Sequence, residues 1–434
     1  MEKLGCLTHL FVTVFLTAFA GFVAMPAITD VTMEALCPGK DECSLAIYLS
    51  GFQQAVSGIG SVLMTPLIGN LSDVYGRKSL LTLPLMLHIL PLVVLAYSRA
   101  TSFYYAYYVL KIVASMVSEG TIQCLCLAYV ADKISEGKRA SAFGLLAGVS
   151  SAAFVCGTLS ARFLSTAQTF QTAAFSAMAA AVYMRIFLQE TTRETDASTR
   201  ILLKSEPSSS SDDSLTKKVQ VFKKIPTIND IKNLIGSSKT FSQVAVMVLF
   251  NSLGEGGLQA SLMYFLKSEF HFSKNQFANL MLIVGIAGMV SQLVLMPMLL
   301  LVTGEEWLLR LGLLVSSTTM ILNSIAWDAW VIYAVAGLSV FGIFTNSCMR
   351  SIASKQVGAC EQGKAQGCIS GIGSLANIIS PLFFSPLTAT FLSDKAPFHF
   401  PGFSLLCIAL CMAIAFIQSL MIRTTPKISG NMVA

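Results

Sequence analysis

Long apolar runs recur from one end of this chain to the other, and they leave few folds open. A helix that crosses a bilayer needs about 20 mostly apolar residues. Runs of that order begin near residue 5 and continue past residue 400. Charge is scarce to match. The chain is 54% hydrophobic and 12% charged, where about 25% charged is usual for a soluble domain. This pattern excludes a disordered chain, a coiled coil and a nucleic-acid binder with a basic surface. It predicts an all-α integral membrane protein with many passes.

The predicted spans cover roughly 5–28, 46–68, 80–97, 104–130, 142–164 and 170–188, then 241–266, 277–302, 307–326, 330–348, 366–392 and 400–422. The first is too long for a signal-peptide core of about 7–15 residues. The count is about twelve. A polar segment divides it evenly, with a serine run at 208–211 followed by Asp212, Asp213, Lys217, Lys218, Lys223 and Lys224. The expected organisation is a six-helix bundle over 1–189, a Ser/Lys-rich linker over 190–240, and a second six-helix bundle with a short tail over 241–434. Gly137-Lys138 precedes the fifth span and Gly363-Lys364 the eleventh, each followed by small residues. That echo suggests two related halves, as transporters often have.

Lysine and arginine set orientation. With the N-terminus inside, one side receives Lys3, Arg77, Lys78, Lys133, Lys138, Arg139, the basic linker, Arg310, Arg350, Lys355 and Lys364. The other receives little beyond Lys40, Arg99, Arg162, Lys267, Lys274 and Lys395. Both termini and the linker are therefore expected to be cytoplasmic. The plasma membrane and an endomembrane such as the vacuolar one stay open as locations.

Between the second and third spans stands Gly69-Asn70-Leu71-Ser72-Asp73-Val74-Tyr75-Gly76-Arg77-Lys78. This resembles the signature loop of the major facilitator superfamily, G-x-L-x-D-x-x-G-R-K, with every defining position filled. Gly69 permits close helix approach and Gly76 a tight turn. Asp73 offers a carboxylate to a helix N-terminus or a basic partner, and the N-terminal end of the eleventh span, just after Gly363, is the expected site. Tyr129-Val130-Ala131-Asp132, with Lys138-Arg139 and Phe143-Gly144, is similar to the stretch after the fourth span in tetracycline/proton antiporters. Glu361-Gln362-Gly363-Lys364-Ala365-Gln366-Gly367 and Ser380-Pro381-Leu382 resemble hippocampus abundant transcript-like proteins, particularly the plant members. The resemblance implies a gating role for Gly69, Asp73, Gly76, Arg77 and Lys78, with Asp132 and Arg139 in the next loop. Three places depart from that pattern. Gly157-Thr158-Leu159-Ser160 lacks the Gly-Pro kink of the fifth span in antiporters. Lys111 is the nearest basic residue where the fourth span commonly carries Arg. The second signature loop reads Gly304-Glu305-Glu306-Trp307, with Arg310 its one basic residue.

A charge at the bilayer centre costs about 2.5–3.5 kcal/mol on insertion scales, so each one inside a span is a functional candidate. Glu255 lies midway along the seventh span among Gly254, Gly256 and Gly257. Asn251, Glu255 and Gln259 share one helix face. Glu119 lies in the fourth span beside Gly120, with Ser115 and Gln123 on its face. The resemblance places the first, fourth, seventh and tenth spans around a central cavity, so Glu119 and Glu255 are expected to face each other there. Asn346 of the tenth span would add a neutral hydrogen bond. Such a pair could carry a proton or hold a cationic substrate; the same two carboxylates serve either, and a structural role for each remains an alternative. His88 is a weaker relay candidate. Cys37 and Cys43 bracket Pro38-Gly39, a spacing that allows a short disulfide or leaves both thiols free.

No Walker loop, metal-ligand cluster or nucleophile elbow is present in the sequence. The expected function is secondary active transport of a small organic solute by alternating access, with the proton as candidate coupling ion and antiport as its family form. The alternative is a non-transporting sensor or scaffold with a transporter fold. No enzyme activity, cofactor, metal or nucleic acid is expected. The partners are the bilayer, a small-molecule substrate and protons, and the chain is expected to act as a monomer.

Overall fold

Inside a bilayer every backbone amide must find its partner within the chain, so apolar segments of this length become helices. The computed structural model describes residues 2–36, 44–190, 236, 238–272, 274–358, 361–392 and 396–422. Cys37, Cys43, nearly all of the predicted linker and the tail after Ile422 lie outside the described residues. Among the described residues, nine helices are long and apolar enough to cross a membrane.

The first part of the chain forms α1 (Glu2–Leu36), α2 (Ser44–Tyr75), α3 (Arg77–Tyr97), α4 (Thr101–Ser118), α5 (Thr121–Lys133), α6 (Arg139–Ala161) and α7 (Thr166–Phe187). The second forms α8 (Lys239–Phe270), α9 (Lys274–Val290), α10 (Met296–Thr303), α11 (Glu305–Ser324), α12 (Ala329–Leu338), α13 (Thr345–Lys355), α14 (Gln362–Phe391) and α15 (Phe403–Leu420). Three pairs are single broken spans: α4 with α5, α9 with α10, and α12 with α13. The helices α7, α8 and α11 carry more polar residues than the other spans but are of similar length, and with them the passes number about twelve.

The breaks have local causes. Glu119 leaves the helical region and Gly120 takes φ +80°, a conformation that suits glycine because it lacks Cβ. A π-helical turn, Ser291–Leu295, joins α9 to α10 ahead of Pro297. A 3-10 turn, Ser339–Phe341, joins α12 to α13. Irregular backbone of this kind is tolerated at membrane depth where protein or a cavity surrounds it.

Two six-helix bundles result. In the first, α1 packs on α6 and α7, α3 on α4 and α7, and α2 on α4. Its apolar cores include Leu10, Leu125, Tyr129 and Phe143 at one end and Val23, Leu95 and Phe170 at the other. In the second, α8 packs on α14 and α15, α11 on α15, and α9 on α12. The bundles meet along two lines. One joins α2 to α14, the other α6 to α9 and α10. Small residues allow both. A Cβ at Gly69 would stand 2.6 Å from the Gly363 carbonyl oxygen, and one at Gly367 would stand 3.0 Å from Pro66 Cα. On the second line Gly148 packs on Leu293 and Gly285 on Phe154.

Candidate functional site

The polar stripe of α8 turns toward α13. Asn251 Nδ2 and Asn346 Nδ2 each donate to Glu255 Oε1 at 2.9 Å. Asn251 Nδ2 also lies 3.4 Å from Asn346 Oδ1. Asn251 is buried, whereas Glu255 and Gln259 are exposed. The glycines beside Glu255 serve the opposite face. Gly256 packs on Ser380 of α14, Gly257 on Phe384, and Gly254 on Met412 of α15. Their missing side chains let α14 and α15 approach α8 while Glu255 stays free of that packing.

One turn beyond Asn346 on α13 stands Arg350. The sequence pattern assigns it to a loop, but the helix runs on to Lys355, so Arg350 lies within the span. Its Nη1 donates to Ser370 Oγ at 3.0 Å and Gln366 Oε1 at 3.3 Å, both on α14. Gln366 Nε2 returns a bond to the Arg350 carbonyl at 3.2 Å. Among the described residues, Glu255 of α8 and Cys124 of α5 are the ionisable groups within its electrostatic reach. Among the same residues, the hydrogen bonds of the guanidinium all go to α14, through Nη1.

The first bundle departs from the expected arrangement. Because the chain breaks after Ser118, Ser115 and Gln123 do not share a continuous face with Glu119. Ser115 is buried and bonded to Ser57, whereas Gln123 is exposed. Glu119 is exposed at the break, and its carbonyl accepts from Ser61 Oγ at 2.8 Å. Among the described residues no hydrogen bond or ion pair links Glu119 to Glu255. His88 Nε2 is buried without a hydrogen-bond partner among the described residues.

The loop between α2 and α3 ties the bundles together. Asp73 Oδ1 accepts the Gly363 amide at 3.1 Å and Oδ2 the Lys364 amide at 3.0 Å. Those are free N–H groups at the start of α14, where the helix dipole favours a carboxylate. Arg77 pairs with Asp73, donates to Ser72 Oγ and meets Asp132 Oδ2 through Nε at 2.9 Å. Gly76, with φ +91°, starts α3 in this turn. Glu190, beyond α7, accepts the Lys78 amide at 2.9 Å and the Ser79 amide at 3.1 Å, capping α3 from a distance. A second tie runs the other way. Arg139 Nη1 donates to the Ser354 carbonyl at 3.2 Å and Ser354 Oγ at 3.1 Å. That carbonyl lies in the last turn of α13, where a cation is favoured. Ser354 Oγ in turn donates to Gln362 Oε1 at 2.6 Å.

Residues 10–232 match the family model described as Major Facilitator Superfamily. The chain belongs to that superfamily. Over 97% of its length it is 24% identical to human hippocampus abundant transcript-like protein 1, covering 81% of that protein. It is 24% identical to mouse hippocampus abundant transcript 1 protein over 87% of the chain and 72% of the relative. The class H tetracycline resistance protein of Pasteurella multocida is 22% identical, over 89% and 90%. Among solved structures, the human organic anion transporter MFSD10 (TETRAN) superposes with a TM-score of 0.76 at 17% identity, covering 96% of this chain and all of the other. A bacterial homologue of the iron transporter ferroportin, in an outward-facing state, gives 0.67 at 14% identity, over 95% and 98%. Both structures agree with the major facilitator fold. Superfamily membership supports membrane transport as the role of this multi-pass membrane protein, and the solved neighbours agree with it in fold.

Within a superfamily built from repeated halves, the loop between α10 and α11 is the counterpart of the signature loop. Gly304 (φ +79°) precedes Glu305 just as Gly76 precedes Arg77. Arg77 pairs with Asp132 at the end of α5, and Glu305 Oε2 pairs with Lys355 Nζ at the end of α13, at 2.8 Å. The ion pair is kept with its charges exchanged. Reading the loop for lost basic residues misses this, because Lys355 lies far along the sequence. Glu190 and Ser354 carry no motif and were equally invisible. Arg350 had a signal, its spacing of four from Asn346.

Proposed function

We propose that this chain is a secondary active transporter that moves a small organic solute by alternating access, with a proton on Glu255 as coupling ion. The observation that carries the reading is the coexistence of an exposed carboxylate deep in the span with polar ties between the bundles. Asp73 to Gly363 and Lys364, Arg139 to Ser354, and Ser61 to Ser374 lie at the end marked by the signature loop and toward mid-span. Ties of that kind can break and reform without unfolding either bundle. The lysine and arginine distribution supports a cytoplasmic location for that end, for both termini and for the linker. Similarity to tetracycline resistance proteins supports placing the chain near the proton-coupled drug transporters. The transporter acts as a monomer in this reading, with bilayer, substrate and protons as its partners.

The test is reconstitution of the full chain in proteoliposomes, with mixed solutes outside and an imposed pH gradient. Accumulated solutes are read by mass spectrometry against empty vesicles. Gradient-driven accumulation is expected, and Glu255→Gln should abolish it while leaving residual downhill exchange. Equal accumulation by Glu255→Gln would move the coupling ion elsewhere. No accumulation under any gradient would favour a sensor or scaffold with this fold.

A further inference from the structure

Arg350 is a cation inside a membrane span whose side-chain partners among the described residues are neutral. Ser370 and Gln366 both take Nη1, and among the described residues no carboxylate lies within ion-pairing distance of the guanidinium. At the centre of a span such a charge costs about 2.5–3.5 kcal/mol on insertion scales, and Arg350, about one turn and a half before the end of α13, bears part of that cost. A structural arginine recovers that cost through a paired acid, as Arg77 does through Asp73 and Asp132, or through carbonyls at a helix end, as Arg139 does on Ser354; Arg350 has neither among the described residues. Glu255 of α8 is instead held by Asn251 and by Asn346, one turn from Arg350.

We infer that Arg350 binds the anionic group of the substrate, a carboxylate, sulfonate or phosphate, and that Glu255 takes up a proton as that anion enters. The inference rests on the transport reading above and supplies its substrate class. Without substrate, an ionised Glu255 and Arg350 leave this stretch of α8 and α13 electrically neutral. An added anion leaves one negative charge in excess in a low-dielectric site, which is costly. A proton from water forming an O–H bond on Glu255 restores neutrality. Both asparagine amides donate to Oε1, so Oε2 can take the proton with neither bond broken.

The neighbours allow this. On its own face Glu255 meets Asn251 and Asn346, with Arg350 one turn further along α13, while the elements packed on the opposite face of α8 add only neutral groups there, Asn377 and Ser380 of α14 and Ile408 and Met412 of α15. Among the described residues, Arg350 is the charged group within electrostatic reach of Glu255. On the other bundle, α5 contributes the buried, free thiol of Cys124. Proton and anion therefore enter together, which is the stoichiometry of symport; competition between a proton and a cation would require a site without the guanidinium.

The experiment uses the purified full chain in detergent at neutral pH. Benzoate, naphthalenesulfonate and phenyl phosphate are compared with benzylamine and benzyl alcohol. Binding is read as a saturable rise in Tm, and proton uptake with a pH indicator in weak buffer. At least one anion should bind and draw protons from solution, while benzylamine should not bind. Arg350→Gln should weaken that anion about ten- to a hundredfold, the loss of a charged hydrogen-bond partner. Arg350→Lys should recover part of the affinity and guards against misfolding of the Gln variant. Glu255→Gln, which resembles the protonated acid, should bind the anion more tightly at alkaline pH and without proton uptake. The inference is overturned if no anion binds, if benzylamine binds instead, if Arg350→Gln binds like the parent, or if the parent binds without proton uptake. Binding with proton uptake but no flux in proteoliposomes would remove the transport reading and keep this assignment. Flux of amines alone would do the reverse.

Discussion

Replacing Asp73 by Asn tests the tie between the bundles most directly. The carboxylate is 9% exposed, accepts two amides at the start of α14 and pairs with Arg77. A hydrogen bond to a charged group contributes about 1.5–3 kcal/mol, and the dipole at a partly buried helix end adds up to about 2 kcal/mol. Asn keeps one acceptor oxygen and loses the charge, so about 2–3 kcal/mol of the tie should go. Arg77 retains Asp132 at 2.9 Å, which limits collateral damage within the first bundle. If the tie exists only when this end is closed, the open-to-closed ratio rises about thirty- to a hundred-and-fiftyfold. Spin labels at Tyr75 and Glu361, both exposed, read that ratio as a distance distribution by electron–electron resonance. The short-distance population should collapse in Asp73→Asn, with insertion and Tm of each bundle little changed. An unchanged distribution would show that the two amide bonds do not set the equilibrium.

Gly69→Leu should also open this end, because its Cβ meets the Gly363 backbone at 2.6 Å and backbone cannot rotate away; the same labels would read it. Gly120→Ala places Cβ at φ +80°, 2.9 Å from Ser61 Oγ, a cost of about 1–3 kcal/mol that a lowered Tm in detergent would register. Glu305→Lys should destabilise by up to about 1 kcal/mol, since the pair with Lys355 is partly solvated. Adding Lys355→Glu should restore Tm, whereas a double variant no better than the single would deny the pairing.

Much of the architecture was legible because the bilayer leaves so few choices. Apolar runs located the spans, and one loop of ten residues marked the junction. The predicted meeting of Asp73 with the start of α14 needed only free amides and a nearby acid. What stayed hidden depended on helix ends. A window of hydropathy stops where charge begins, so it ended the tenth span near Cys348 and left Arg350 outside; the helix ends at Lys355. The break after Ser118 was equally unreadable, since a Gly beside a Glu in an apolar run fits an unbroken helix. That break separates Ser115 and Gln123 from the face of Glu119.

The exchanged ion pair bears on how erosion of a motif is interpreted. A loop that must hold the start of one helix against the end of another needs a turn and two opposite charges; it does not need a particular sign at each place. Gly76 and Gly304 supply the turn with the same backbone conformation. Arg77–Asp132 and Glu305–Lys355 supply the charges in opposite order. The order still matters for the junction, because an acid suits a helix start and a base a helix end. Asp73 has that role on α14, whereas the corresponding place three residues before Gly304 is the exposed Leu301. The second loop can therefore brace its own bundle without an acidic cap on α6. The start of α6 contributes Arg139 to the end of α13 instead. One junction is closed by a carboxylate on a helix start and the other by a guanidinium on a helix end, so the two should respond to different substitutions: Asp73→Asn loosens the first and Arg139→Gln the second.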